Sequence, residues 1–474
     1  MEQSGILALA NAPVLESLLS FSSDLSLEPL LAEGWEHRPP LSWRLLLRRG
    51  VRFHNGAPFD ASAVVATVNR WGTGRNLMGL GPRSAVAVDE YTVDITPKAA
   101  NHRLLEQLAH PGRRFAAPGT VPGTGVDPHA TPTGTGPFRF VRYRPGAELT
   151  VERFEGYWGA PARLAALSFE FLPDGDARLA ALASGRVHAI YDVPRHRTAE
   201  VRSYPARITL APVGMYCALL LNHRGRPPYD ILTDVRVRRA LALAIDQDAI
   251  VAAWPGSARA EQTIVPSDLL RGSAPLIKGH GHDPDDAERL LDEAGWHRRA
   301  DGMRERADGR PLRLEMLVYS GEEQAPAPAL VAEQLAGVGV HVTTSEPDPH
   351  DYGDLMRAGQ GDIFASVGNQ ADANWLFFAS LFTGVTPGGA YGDRFGPGAV
   401  YDELVTEAYA TPDPDESRRL TAQALAIVVD EAVTAVPLAA LARVHAMSEG
   451  VRGFVAHRAK GAQRWSRVFL DTVP

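Results

Sequence analysis

The chain has 474 residues, about three times the length of a typical single domain, so two or three hydrophobic cores are expected. Its 45% hydrophobic and 22% charged residues are typical of a globular protein and argue against a disordered or membrane-embedded chain. The 48 basic and 56 acidic residues give a net charge of -8 without a long block of either sign, which argues against nucleic-acid binding.

The first predicted elements surround one helix and one hairpin. Residues 41–56 alternate between apolar and basic side chains and end at an Asn-Gly pair, which predicts a strand followed by a turn. Asp60 is placed to cap a helix whose apolar positions recur at helical spacing up to Trp71. Residues 138–154 predict a hairpin with a Pro-Gly turn.

Two stretches have the order strand, helix, strand. Residues 164–193 predict a βαβ-like unit, and residues 312–346 repeat the same order. A further helical segment and a strand follow the second stretch, up to Gly368. The sequence therefore predicts α/β units in both halves of the chain.

Two helices between these units have strong end signals. Residues 233–253 predict one helix that Asp234 caps. The second helix has Asp283 as its N-cap, Pro284 at its first position and Gly295 at its end.

The single cysteine, Cys217, excludes an internal disulfide and a two-cysteine metal site. It lies in the apolar run MYCALLLN, so we expect a buried thiol on a strand. No apolar stretch approaches the ~18 residues of a membrane-spanning helix. The first residues lack the basic region and cleavage site of a secretory signal, so the sequence as given shows no export signal.

Six segments, in order along nearly the whole chain, resemble the signatures of the nickel/dipeptide/oligopeptide class of solute-binding proteins (family 5). They are LEPLLAEGWEH, RLLLRRGVRFHNGAPFDASAVV, TPTGTGPFRF with ERFEGYWG, DARLAALASGRVHAI, LLLNHRGRPPYDILTDVRVRRALALAIDQDAI and DPDDAERLLDEAGW. The glycines of TPTGTGPF also favour a tight backbone entry into a strand over a phosphate-binding loop, because no helix follows them.

The resemblance implies an α/β fold: a two-lobed clamp of the periplasmic-binding-protein type (class II), with the second lobe inserted into the first. Lobe one would span residues 1–213, including a β-rich subdomain at about 51–136, and lobe two would span 214–443. Residues 444–474 would return to lobe one. The crossings would lie near 211–216 and 443–449, where hinge motion would open and close the clamp.

The function that the resemblance implies is solute binding for an ABC importer. The clamp would capture a small polar solute, a peptide or a chelate, and present it to the permease subunits from the extracytoplasmic side. A monomer without a cofactor or a resident metal is expected, with no nucleic-acid partner. No motif of an activated nucleophile or a catalytic metal is present, so we do not expect an enzyme.

In the first lobe, the resemblance to the nickel-binding branch points to arginines that line the cleft. Arg75 is retained, whereas Met78 stands where that branch has a tryptophan. A second arginine position reads Gly112, with Arg113 and Arg114 directly after it. A guanidinium suits a ligand carboxylate because its fork donates two parallel hydrogen bonds. Solvated surface arginines are the alternative reading.

The loop after residue 368 should supply the second-lobe contacts. Peptide binders that resemble this chain have an aspartate there, and a gapless comparison places Gln370 at that position. The nickel branch has a tryptophan and a tyrosine where this sequence has Gly368 and Asp372. The full set of predicted ligand-binding residues is Arg75, Met78, Arg113, Arg114, Asn369, Gln370, Asp372, Trp375, Tyr391, His457 and Arg458.

Two other functions stay open. A cytoplasmic sensor could use the same clamp and would explain the missing signal, although truncation of the sequence explains that gap as well. A nickel-chelate binder is the other, although the segment that should hold the nickel branch's histidine has none. His280 and His282 stand two residues apart, but they precede a helix cap in a predicted exposed loop and lack the scaffold of a metal site.

Overall fold

The structure is a computed structural model, and it describes residues 12–73, 79–117, 133–319, 324–369, 382, 395–459 and 461–471. The described strands are β1 (Leu19–Phe21), β2 (Leu27–Pro29), β3 (Ala32–Arg38), β4 (Ser42–Leu47), β5 (Ala85–Asp89), β6 (Thr92–Ile95), β7 (Phe138–Arg144), β8 (Glu148–Arg153), β9 (Ala166–Glu170), β10 (Ala189–Ile190), β11 (Ala206–Leu210), β12 (Met215–Leu221), β13 (Ala258–Arg259), β14 (His297–Arg298), β15 (Arg304–Glu305), β16 (Arg313–Val318), β17 (His341–Ser345), β18 (Ile363–Asn369), β19 (Ala435–Leu441), β20 (Val444–Ser448), β21 (Val451–Arg452) and β22 (Phe469–Leu470).

The described α-helices are α1 (Ala61–Trp71), α2 (Leu104–Ala109), α3 (Gly175–Ala183), α4 (Thr198–Val201), α5 (Val235–Ala244), α6 (Gln247–Ala252), α7 (Ser267–Leu270), α8 (Pro284–Glu293), α9 (Ala327–Gly337), α10 (Pro349–Ala358), α11 (Ala399–Ala410) and α12 (Pro414–Ala426). Within the described ranges, no helix combines the length and the apolarity that crossing a bilayer requires.

The predicted helix ends are confirmed where a side chain caps the backbone. The Asp60 carboxylate accepts a hydrogen bond from the Ala63 amide at 3.1 Å, and α1 begins at the next residue, Ala61. The Asp283 carboxylate accepts one from the Asp286 amide at 3.0 Å at the start of α8. Each cap satisfies an amide that has no partner inside its helix.

The predicted single helix over residues 233–253 is wrong, because α5 ends at Ala244 and α6 begins at Gln247. Asp246 stands between them and caps α6 through the Ala249 amide. Its own amide donates to Gln334 Oε1 at 3.0 Å, on α9. A contact from a distant helix thus holds a break that the local apolar pattern does not show.

The segment between β11 and β20, which we assign to the second lobe, contains a six-stranded sheet in the order β13-β19-β12-β18-β16-β17. Pairing is parallel among β16, β17 and β18, with α9 and α10 in the connections, so the predicted α/β unit is confirmed. All of β12 is buried, and its alternate residues face two separate cores. Cys217 is one of the buried residues of β12, so the predicted buried thiol on a strand is confirmed.

The first lobe contains several smaller sheets. A four-stranded antiparallel sheet has the order β3-β4-β6-β5. The two strands of the predicted hairpin, β7 and β8, form a three-stranded sheet with β9 in the order β7-β8-β9. A third sheet has the order β10-β20-β11. The predicted βαβ-like unit over residues 164–193 is wrong, because β9 and β10 belong to different sheets and β10 pairs with β20 from the end of the chain.

Two adjacent crossings join the lobes. The first runs between β11 and β12, and the return runs between β19 and β20. They are paired: the Ala211 amide donates to the Arg443 carbonyl at 2.9 Å, and the Gly214 amide donates to the Leu441 carbonyl at 3.2 Å. The chain is therefore a two-lobed α/β clamp with a two-stranded hinge.

Candidate functional site

The turn that follows α2 presents the two predicted arginines, Arg113 and Arg114. The Arg113 amide donates to the His110 carbonyl at 2.7 Å, and the Gly112 amide donates to His110 Nδ1 at 2.9 Å. Burial, assisted by the two guanidiniums, lowers the pKa of His110 to about 3. A neutral His110 therefore fixes a turn in which the two cations are consecutive.

Arg114 Nη2 donates to the Gly461 carbonyl at 2.5 Å, in the segment that returns to the first lobe. Burial lowers its pKa to about 10, while the Glu16 carboxylate acts in the opposite direction. With that pKa the guanidinium remains a cation at neutral pH. Because the Arg114 guanidinium is poorly solvated, its attraction for an anion is stronger than that of a fully hydrated arginine.

A short series of contacts connects Arg114 with the hinge. The Gly461 amide donates to Gln463 Oε1 at 3.1 Å, and Gln463 Nε2 donates to the Tyr191 hydroxyl at 2.6 Å. The Tyr191 ring packs on His445 of β20, with the ring centroids 4.2 Å apart. Arg114 therefore lies on the hinge side of the first lobe.

Aromatic rings surround the same turn. The Arg113 guanidinium lies 5.6 Å from the centre of the Trp71 ring, and the Trp71 and Phe115 rings are 5.3 Å apart. Arg113 is half-buried. The wall thus combines a cation with apolar surface, which is the composition of a small-molecule site.

The buried carboxylate of Glu16, which the sequence reading missed, lies behind Arg114. It accepts hydrogen bonds from Tyr157 Oη at 2.8 Å, from Trp158 Nε1 at 2.9 Å and from Thr135 Oγ1 at 2.8 Å. Burial raises its pKa more than these donors lower it. Two of the resembling segments, TPTGTGPF and ERFEGYWG, therefore meet at one carboxylate.

The glycines of TPTGTGPF serve a close approach of two backbones. A Cβ atom at Gly134 would lie 1.9 Å from the Val14 carbonyl oxygen, and one at Gly136 would lie 2.4 Å from the Pro13 carbonyl oxygen. The strand β7 follows at Phe138, and no helix N-terminus is present there to hold a phosphate. The prediction of a tight entry into a strand is confirmed.

His457 and Arg458 lie in the same returning segment as Gly461. His457 is 7% exposed, its Nε2 donates to the Ser22 carbonyl at 3.0 Å, and its Nδ1 accepts from the Ala459 amide. Both ring nitrogens are thus used inside the lobe, and burial lowers the pKa of the ring.

Arg458 bridges the lobes beside the first crossing. Its guanidinium forms an ion pair with Asp268 of the second lobe. Its side chain packs against Gly214, where an added Cβ would lie 2.6 Å from Arg458 Cγ. Arg458 and Gly461, the backbone partner of Arg114, therefore belong to the same returning segment of the chain.

The lobes also touch away from the hinge. The His102 amide donates to the Tyr409 carbonyl at 2.9 Å, and Arg103 Nη2 donates to the Pro412 carbonyl at 3.2 Å. These bonds join the start of α2 to the helices α11 and α12 of the second lobe. The clamp is in a conformation with its lobes in contact.

On the second lobe, Asn369 is the last residue of β18, and it pairs with Met215 at the start of β12. The predicted ligand loop therefore starts beside the first crossing. At the preceding residue, Gly368, an added Cβ would lie 2.0 Å from Tyr216 Cε1. The other predicted ligand residues, Arg75, Met78, Gln370, Asp372, Trp375 and Tyr391, lie outside the described residues.

The histidine pair and the cysteine have structural surroundings. His280 Nε2 hydrogen-bonds the Val429 carbonyl at 3.0 Å, and His282 Nδ1 lies 3.8 Å from Asp246 Oδ2. Across the described ranges, no three metal-binding side chains come together. Burial raises the pKa of the Cys217 thiol to about 12, so it is not a nucleophile at neutral pH.

Known proteins match this chain in sequence over most of its length. A family model described as bacterial extracellular solute-binding proteins, family 5 middle, matches residues 26–389. The glutathione-binding protein GsiB of Salmonella choleraesuis is 25% identical over 460 residues, which cover 93% of this chain and 85% of that protein.

Two solved structures show the same fold. NikA from Brucella suis, in complex with Fe(III)-EDTA, superposes with a TM-score of 0.84 at 24% identity, covering 98% of this chain and 95% of that one. The oligopeptide-binding protein AppA from Bacillus subtilis, in complex with a nonapeptide, has a TM-score of 0.81 at 18% identity, covering 97% and 94%. These ligands differ in size and chemistry, so the shared fold does not select among them.

Proposed function

The chain belongs to family 5 of the bacterial extracellular solute-binding proteins, which bind substrate for ABC importers, and we propose that its solute is a small peptide or peptide-like chelate with a free carboxylate. The observation that carries the proposal is Arg114, a partly buried cation bonded to Gly461 on the hinge side of the first lobe. Arg113 stands next to it above Trp71.

A carboxylate is the ligand group that suits these arginines. A guanidinium donates two parallel hydrogen bonds to a carboxylate, and low solvation makes such a pair stronger. Glutathione, peptides and EDTA, which are named for the relatives, all carry carboxylates. A carboxylate anchor is therefore the chemistry common to these ligands, whereas the loop after Asn369 would select among them.

We place the lobe boundaries at the crossings, with 1–213 and 444–474 in lobe one and 214–443 in lobe two. The paired hinge strands support this division, because few backbone bonds connect the lobes elsewhere in the described chain. Closure about the hinge would bury the solute and form one surface for the permease. We propose that this happens on the extracytoplasmic side, with the protein acting as a monomer.

A nickel chelate is the less favoured solute. The nickel branch has a tryptophan at the position of Gly368, and a side chain there would overlap the Tyr216 ring. That branch's aromatic wall therefore has no counterpart at this position unless Tyr216 moves. This observation favours a peptide-like solute over a nickel complex.

The experiment is a thermal-shift screen of the purified protein against glutathione, di- to pentapeptides, opines and nickel-histidine, guided by native mass spectrometry. A ligand that binds the native state raises the melting temperature. The best ligand is then compared with its C-terminal amide. Loss of a charged hydrogen-bonded pair should weaken binding about ten- to a hundredfold.

Variants test whether Arg113 and Arg114 are the residues that bind the carboxylate of the solute. Replacing Arg113 and Arg114 together by glutamine should remove the shift for the free acid, whereas replacing the exposed Arg139 and Arg142 of β7 should not. An amide that binds as well as the acid would refute the carboxylate anchor even if the double variant fails to fold. A screen with no binder in any of these classes would refute the proposed solute class.

A further inference from the structure

A small cavity opens beside the hinge, separate from the turn that holds Arg113 and Arg114. Its volume is about 320 Å³, within the range of small-molecule sites. The residues that define its chemistry are Arg202, Arg207, Ile208, Leu210, Pro255 and Gly256.

The cavity has one wall on each lobe. Arg207, Ile208 and Leu210 belong to β11, which leads directly into the first crossing. Pro255 and Gly256 precede Ser257, whose carbonyl accepts a hydrogen bond from the Ala442 amide at 2.8 Å in the return crossing. Because the walls are attached to different sides of the hinge, opening the clamp changes the distance between them.

The two arginines of the cavity are available for an anion. Neither Arg202 nor Arg207 has an acidic side chain within ion-pair distance in the part of the chain that the structure describes. Arg202 is exposed and Arg207 is half-buried. A guanidinium beside a concave site attracts a carboxylate or a phosphate.

The remaining wall is apolar. Leu210 is 44% exposed, although it is a large aliphatic residue next to Ile208 and Pro255. An occupant that covers Leu210 would remove this apolar surface from water and gain free energy by the hydrophobic effect. The cavity therefore fits a molecule with an anionic head and a short apolar chain.

We propose that this hinge cavity is a second binding site, for a small amphipathic carboxylate, and that its occupancy alters the affinity of the clamp for its solute. A ligand that contacts both walls binds the open and the closed conformations unequally, so it shifts the equilibrium between them. The coupling rests on the proposed solute-binding function, whereas binding to the cavity does not.

The test uses octanoate as the probe and isothermal titration calorimetry of the full chain. Octanoate should bind, and uncharged octanol should bind at least tenfold more weakly. Replacing Arg202 and Arg207 together by glutamine should weaken octanoate binding at least tenfold, and Leu210→Ser should weaken it as well. Replacing Arg83, an exposed arginine away from the cavity, should leave it unchanged.

A cleft variant separates this site from the solute site. The Arg113 and Arg114 double glutamine variant should still bind octanoate with wild-type affinity. Loss of octanoate binding in that variant, unchanged binding in the Arg202 and Arg207 variant, or equal binding of octanol would each overturn the proposal. A screen that finds no solute would count against the proposed function alone, since octanoate binding is measured without a solute.

Discussion

Arg443 and Asp192 form an ion pair at the hinge, with Arg443 Nη1 2.6 Å from both carboxylate oxygens of Asp192. Arg443 belongs to the return crossing, and Asp192 follows β10, the strand that pairs with β20. The arginine side chain is 2% exposed and the aspartate 28%. The pair therefore fixes the end of the return crossing to the sheet of the first lobe.

Removing Arg443 should destabilise the protein strongly. Arg443→Met leaves the Asp192 carboxylate in a partly buried place without this cation, and breaking such a pair costs about 3 kcal/mol. Urea unfolding followed by tryptophan fluorescence measures the change. Arg44→Met is the matched control, because the Arg44 and Asp94 pair is about one-quarter exposed on each side and should cost less than about 1 kcal/mol. Equal losses for the two variants would contradict the prediction.

The ion pair between Arg458 and Asp268 should favour the conformation with the lobes in contact. Asp268→Asn removes the charge attraction between the lobes without changing side-chain size, so the free protein should be more open. Small-angle X-ray scattering would report a larger radius of gyration. The control is Asp471→Asn, which breaks the pair with Arg452 inside the returning segment. An unchanged radius for Asp268→Asn would show that the pair does not hold the lobes together.

The fold was predictable where one local signal decides the structure. Asp60 and Asp283 cap their helices as expected, because the cap, its amide partner and the apolar face lie within one short stretch of sequence. The break at Asp246 was not predictable in this way, since it depends on Gln334 from another helix. Likewise, β10 joins β20 rather than β9, and no local pattern encodes a partner so distant in the chain.

The candidate site was predictable only in part. The pair Arg113 and Arg114 follows from the resemblance, but its connection with Gly461 requires the folded chain. The sequence around Glu16 gave no signal, because its three donors come from residues 135–158. The signal was indirect: the Tyr-Trp pair of ERFEGYWG carries two of the donors.

Asp362 should make the protein less stable as the pH rises. Burial raises its pKa to about 7 from 3.8, so between these values the folded chain holds a proton that the unfolded chain has lost. Stability is therefore full below pH ~4 and falls through pH ~7, by at most about 4 kcal/mol. Asp362→Asn keeps an acceptor for the Glu315 amide and should be more stable than the wild type at pH ~8 but not at pH ~4.

Melting temperatures measured across this pH range test the sign of the pH dependence of stability. Asp94→Asn is expected to show the opposite dependence. Arg44 lowers the pKa of Asp94, so that variant should lose stability at high pH relative to the wild type. If Asp362→Asn lost stability at high pH relative to the wild type, as Asp94→Asn should, the Asp362 carboxyl would be ionised and stabilising in the folded protein.

His445 should make the protein less stable as the pH becomes acidic, which is the reverse of the pH dependence expected from Asp362. It is fully buried between the Tyr191 and Phe454 rings, and neither ring nitrogen has a hydrogen-bond partner in the described chain. Burial lowers its pKa to about 4 from 6.5. The unfolded chain therefore binds a proton that the folded chain does not, and stability falls as the pH drops from ~6.5 towards ~4.

His445→Phe should remove this loss, because phenylalanine keeps the aromatic packing and has no group to protonate. The variant should match or exceed the wild type at pH ~7, where the buried ring nitrogens of His445 carry a desolvation cost. At pH ~4.5 it should be more stable by up to about 2.7 kcal/mol, since two pH units below 6.5 correspond to that free energy. Urea midpoints at the two pH values measure the difference, with the exposed His188→Phe as the control that leaves the pH slope unchanged. A wild-type slope in His445→Phe would assign the acid sensitivity to other buried histidines, of which His110 and His223 are the first to test because burial lowers their pKa values to about 3 and about 4.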